Sequence, residues 1–124
     1  MAVSKLDGPG IVKMSTLKDA HLMIQRVHGI VEQMAMAQKA EKSTSVLGMQ
    51  LRRAATPLVG LLKGHFGSMS DLVSAMILAA TRGGNEGAKV RSLREMMGQL
   101  KSQMEIAANK VKELHTIEGD AAPE

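Results

Sequence analysis

The sequence predicts an all-α protein: an antiparallel bundle with two long helices and shorter apolar helices between them, completed by oligomerisation. Three observations carry this reading. Val90, Leu93, Met97, Leu100, Met104, Ala107, Val111 and Leu114 recur in steps of three and four, a seven-residue repeat of apolar positions on one helix face. Leu17, Ala20, Ile24, Val27, Val31 and Met34 form a second seam of the same kind. The third observation is the type of apolar residue. The chain has 11 methionines and a single aromatic, Phe66, so its core is built from Leu, Val, Ile, Met and Ala. Such side chains pack helices readily, while flexible methionine specifies a rigid pocket poorly.

The elements follow in chain order. Residues 1–15 read as an extended N-terminal arm, because Gly8-Pro9-Gly10 interrupts a helix; Ile11, Val12 and Met14 offer a short apolar strap. Thr16 and Asp19 resemble a capping box, which starts a helix over about 17–42. Met23, Ile30 and Ala37 widen its apolar face beyond a minimal stripe, as a bundle requires. Ser43-Thr44-Ser45 either breaks this helix or lets it continue. Val46 to Ala55 is again helical in pattern, and Thr56-Pro57 punctuates it: Pro57 starts a new helix or kinks a continuing one. Gly64 and Gly67 mark turns. Ser68 or Ser70 caps a helix over about 71–81 that is apolar around much of its circumference. Arg82-Gly83-Gly84-Asn85 is a strong stop and turn. The last helix covers about 88–117, and residues 119–124 form a flexible acidic tail. Residues 16–118 are thus read as a single helical domain. The two long helices outreach the short middle pieces, so a second copy is expected to bury the remainder.

Net charge is +4, but it is spread evenly. Residues 1–42, 43–81 and 82–118 each carry a surplus of two positive charges. The 124-residue chain has no cysteine, which excludes disulfides and thiolate chemistry, and its start lacks the apolar run of a signal peptide. The longest apolar stretches, Ala54–Phe66 and Leu72–Ala80, fall short of the ~20 residues that cross a bilayer. A cytoplasmic protein without a membrane span is expected.

No residue constellation points to catalysis. His21 and His28 are seven apart on one helix, about 10 Å along its axis, too far to share a metal directly. A ligand pair needs a spacing of three or four, and no such motif is present. His65 sits in a turn-like stretch and His115 near a helix C-terminus. Gly60-x-x-x-Gly64-x-x-Gly67 and Gly83-Gly84-x-x-Gly87 lack the strand and the Lys-Ser/Thr of a phosphate loop. The expectation is a non-enzymatic assembly, adaptor or regulatory protein with no cofactor and no metal. It acts through helix packing with itself or a helical partner. The interface residues are assigned to Leu72, Met76 and Ile77 of the apolar middle helix and to Val90, Leu93, Met97, Leu100, Met104, Val111 and Leu114 of the heptad seam. The alternative is a nucleic-acid-binding protein whose basic surface joins Arg52, Arg53, Arg82, Lys89, Arg91 and Arg94, contacting phosphates.

Overall fold

The computed structural model describes residues 5–117. Its four helices are α1 (Gly8–Lys39), α2 (Ser45–Lys63), α3 (Gly67–Thr81) and α4 (Glu86–His115). A two-residue pairing of β1 (Lys5–Leu6) with β2 (Thr116–Ile117) ties the ends of α1 and α4 together. The helices run up and down in sequence. α1 packs on α2 and α4, and α3 packs on the same two, so α4 closes the ring against α1. The bundle class is as the sequence predicts. No described helix is long and apolar enough to cross a membrane.

Helix α1 starts nine residues before the position the sequence reading gave it. The segment expected as an arm forms its first two turns instead. The Asp7 carboxylate caps it, accepting from the Gly10 amide at 2.7 Å. Pro9 lies in the first turn, where a missing N–H costs nothing. Gly10 is required for packing: a Cβ built there falls 2.5 Å from the Cβ of His115. Thr16, read as a cap, is inside the helix, and its hydroxyl donates to the Val12 carbonyl at 3.1 Å. Residues 1–4 and 118–124, including the acidic tail, lie outside the described residues.

The ambiguous stretch at 43–45 is a break. α1 stops at Lys39 through a pair of reversed hydrogen bonds: Lys42 N–H donates to the Ala37 carbonyl and Glu41 N–H to the Gln38 carbonyl. This Schellman arrangement places Glu41 in the left-handed region with φ 60°. A glycine would adopt that conformation without the roughly 1 kcal/mol penalty a side chain brings. Pro57 does not start a helix; α2 runs through it, and the Arg53 carbonyl forgoes the hydrogen bond proline cannot donate.

Helix α3 starts at Gly67, ahead of the expected Asp71, and neither Ser68 nor Ser70 is its N-cap residue. The buried Ser70 hydroxyl instead donates to the Val59 carbonyl at 3.0 Å, joining α3 to α2. Helix α4 begins at Glu86 with the Asn85 side chain accepting from Ala88 N–H at 2.9 Å. It runs unbroken to His115, so the long rod expected over 88–117 is present but lies two residues earlier, and Thr116–Ile117 pair as β2 instead.

The first seam is buried throughout: Leu17, Ala20, Ile24, Val27, Val31 and Met34. Leu51, Ala55, Leu58 and Leu62 from α2 meet them, with Met69, Val73, Met76 and Ala80 from α3 and Val90, Leu93, Met97 and Leu100 from α4. Close approach of α2 to α3 depends on Gly48, because a Cβ there would overlap the Ala80 carbonyl oxygen.

Candidate interaction surfaces

The helices differ in length, and that difference creates the first candidate surface. At 1.5 Å per residue, α1 and α4 are about 48 and 45 Å long, against about 28 Å for α2 and 22 Å for α3. α2 leaves the loop at residues 40–44 and runs back along α1. α3 returns to the turn before α4. Both therefore cover the end of the long pair where α1 stops and α4 begins. The other end, roughly 8–20 of α1 and 101–115 of α4, is a two-helix hairpin with no third or fourth helix on it among the described residues.

That hairpin carries much of the exposed apolar surface. Of the large hydrophobic side chains that face solvent, Val12 is 54% exposed, Ile106 56%, Ile11 58%, and Leu114 74%. Val12 and Thr16 lie on the same stripe of α1 as Met23 and Ile30, which α2 covers further along. Gln103, Ala107 and Leu114 continue the stripe of α4 that starts at Ser92 and Met96 beside α3. The open flank is therefore the continuation of the bundle core beyond the ends of α2 and α3. Gln103 Oε1 is buried there and accepts no hydrogen bond, although such atoms are usually paired. The opposite flank of the hairpin holds a groove of about 430 Å³ lined by Met14, Leu17, Leu22, Met104 and Ala108, with Lys18 and His21 at its edge.

Two polar clusters hold the ends of the long pair. At the closed end, the Thr44 amide and hydroxyl donate to the Glu86 carboxylate at 2.8–2.9 Å, and Lys89 pairs with it at 3.1 Å. Thr44 is fully buried, so this carboxylate takes both of its donors. Those hydrogen bonds hold the Glu86 carboxyl below its usual range. At the hairpin tip, His115 Nδ1 lies 3.1 Å from Asp7 Oδ1, and Lys13 Nζ lies 3.1 Å from His115 Nε2. The Gly10 amide, first, and then His115 hold the Asp7 carboxyl low. Asp7 N–H also donates to the His115 carbonyl at 2.8 Å. Between the ends, Arg94 donates twice to Glu32, at 3.0 and 2.5 Å, bridging α4 to α1 and lowering the Glu32 carboxyl. His28, on the same network, accepts from Lys101 at 2.7 Å. His21 is exposed and bonded to Gln25. Among the described residues, no three His, Asp or Glu side chains converge as metal ligands would.

The ten expected interface residues divide sharply. Met76, Val90, Leu93, Met97, Leu100 and Val111 are buried inside the chain's own bundle. Leu72, Ile77 and Met104 are partly buried against that core. Leu114 is the one exposed residue of the set. The seam was read correctly as a packing face, but its partners are α1 and α3 of the same chain. The surfaces that stay open include Val12, expected on a short apolar strap of the N-terminal arm.

The six expected basic residues do not form one patch. Arg53 lines the groove between α1 and α2, while Arg52 is exposed on α2. Arg82 and Lys89 flank the turn between α3 and α4. Arg91 and Arg94 line the groove between α1 and α4. Five of them are thus divided over three grooves of the ring, with Arg52 outside these, and the Arg94 and Lys89 charges are paired with Glu32 and Glu86.

Comparison of the chain with protein-family models, with curated proteins and with solved structures found no match.

Proposed function

We propose that this is a non-enzymatic helical assembly protein that self-associates through the open flank of the α1–α4 hairpin. One observation carries the reading: half of the bundle has four helices, while the other half has two and an exposed apolar stripe where the missing pair would lie. A second copy supplies what is missing. Its hairpin has the same length and the same open flank, so two copies related by a two-fold axis complete each other's half-bundle. Val12, Thr16, Gln103, Ala107 and Leu114 are the residues placed in that contact.

Simple geometry sets the strength expected. Two helices side by side, each about 10 Å wide and about 20 Å long, present a face that buries on the order of 1,000 Å² over both partners, the lower limit for a specific interface. The dimer is accordingly expected to dissociate in the micromolar range. The same flank has no aromatic or arginine anchor, which also argues against tight association.

Sedimentation mass measured across concentration tests this. The unaltered chain is expected to pass from monomer to dimer, and the doubly substituted Val12→Glu, Leu114→Glu chain to stay monomeric with its melting unchanged. Both residues are exposed in the single chain, so the substitutions do not touch its core. A chain that stays monomeric to millimolar concentration contradicts the proposal. So does a dimer that survives the double substitution.

A further inference from the structure

A different surface carries an inference of its own. Between α1 and α2 lies a groove of about 480 Å³ lined by Arg26 and Arg53, one from each helix, with Gln25, Gln33 and Gln50. Its floor is Gly29, Ile30 and Ala54. No carboxylate lines it. Arg94 and Lys89, in two other helix–helix grooves, are by contrast matched to Glu32 and Glu86. Neither Arg26 nor Arg53 has an ion-pair partner among the described residues. Helix α2 contains Arg52, Arg53 and Lys63 and no acidic residue at all, so nothing on it neutralises the groove.

Gly29 is an exposed part of the groove lining. A Cβ built there meets nothing within 4 Å. A larger side chain at 29 would project into the groove.

The lining narrows the ligand. Ile30 and Ala54 offer too little apolar surface to anchor the side chains of a peptide. The groove contains no aromatic ring on which a base would stack. What remains is recognition of oxyanions: planar guanidinium groups pair bidentately with phosphate, and glutamine amides add donors. We infer that the α1–α2 groove is a binding site for a diphosphate group, with Arg26 and Arg53 each taking one phosphate and Gln33 and Gln50 donating to the remaining oxygens.

Calorimetric titration with inorganic diphosphate tests the inference, and parallel titrations with a nucleoside diphosphate and with a single-stranded oligonucleotide identify the source. Diphosphate binding is expected, weakened at least tenfold by Arg26→Gln and again by Arg53→Gln, with Arg94→Gln as an unaffected control on another face. A nucleoside diphosphate that binds no tighter than free diphosphate assigns the site to the phosphates alone; one that binds much tighter places a base-binding surface beside it and still supports the site. Gly29→Leu is the decisive variant. It keeps every charge and is expected to abolish binding by filling the groove, with helical content unchanged by circular dichroism. Diphosphate affinity unaffected by Gly29→Leu would overturn the inference, as would no diphosphate binding at low salt. Binding confined to the oligonucleotide would replace it with a diffuse polyanion surface.

Discussion

The closed and open halves of the molecule are built from the same two long helices, yet they obey different rules. In the closed half, α1 and α4 bury their seams under α2 and α3, and Leu93, Met97 and Leu100 are almost wholly excluded from water. In the open half, the same α4 seam continues through Met104, partly buried, and Val111, still buried, to Leu114, which is exposed. The heptad repeat is continuous, but burial is not. A periodic apolar pattern reports which face of a helix is meant for packing. The lengths of its neighbours decide how far along the packing extends.

Substitutions along one seam test this contrast most directly. Leu93→Ala, in the closed half, is expected to cost about 2–5 kcal/mol, because it leaves a cavity among fixed neighbours. Leu114→Ala, on the same helix, is expected to cost under about 0.5 kcal/mol, since the side chain is exposed. Urea unfolding of the two variants measures both, and equal losses would mean that the halves are packed alike. Glycine substitutions sharpen the comparison at smaller scale. Gly48→Ala drives a methyl group into the Ala80 carbonyl and is expected to destabilise by about 1–3 kcal/mol. Gly29→Ala enters open space and is expected to stabilise by about 0.5–1 kcal/mol through helix propensity.

The smallest effect concerns acid. Asp7 at the hairpin tip, Glu86 at the closed end and Glu32 between them all have carboxyls held below their usual range. A depressed folded-state value means that the stabilisation is complete above the unfolded value and is lost as pH falls through the folded one. Melting temperature is therefore expected to be level from pH 7 to about 5 and to decline below about pH 4. All three groups reach solvent, so the decline is expected to be modest. Amide exchange at low pH distinguishes the ends: the tip, held by Asp7 and two paired residues of strand, is expected to open before the closed end, where Thr44 is buried.

The helices and their buried faces were legible because 3.6-residue periodicity survives in the residues themselves. All six members of the first seam are buried. What escaped was set by contacts distant in sequence. Gly8-Pro9-Gly10 looks like a breaker, yet Asp7 caps it and Gly10 admits His115 from the far end of the chain. Asp7 two residues before Pro9 was the available signal, a cap with proline in the first turn. The α1–α2 break was hidden because Glu41 occupies a position where glycine is the usual marker. The cap role assigned to Ser70 failed because its hydroxyl serves another helix. On the surface, the assigned cations scattered because residues close in sequence point into different grooves. The Arg26–Arg53 pair was missed because its members are 27 positions apart and joined only by the α1–α2 turn.

The methionines divide along the same boundary between buried and exposed. Met34, Met69, Met76 and Met97 are sealed in the core, whereas Met36 is 71% exposed and Met49 56%. Mild peroxide treatment is therefore expected to convert Met36 and Met49 to sulfoxides first, while the packing stays intact. The sealed thioethers react only when the bundle breathes, so their slow modification is a built-in clock for the opening of the fold.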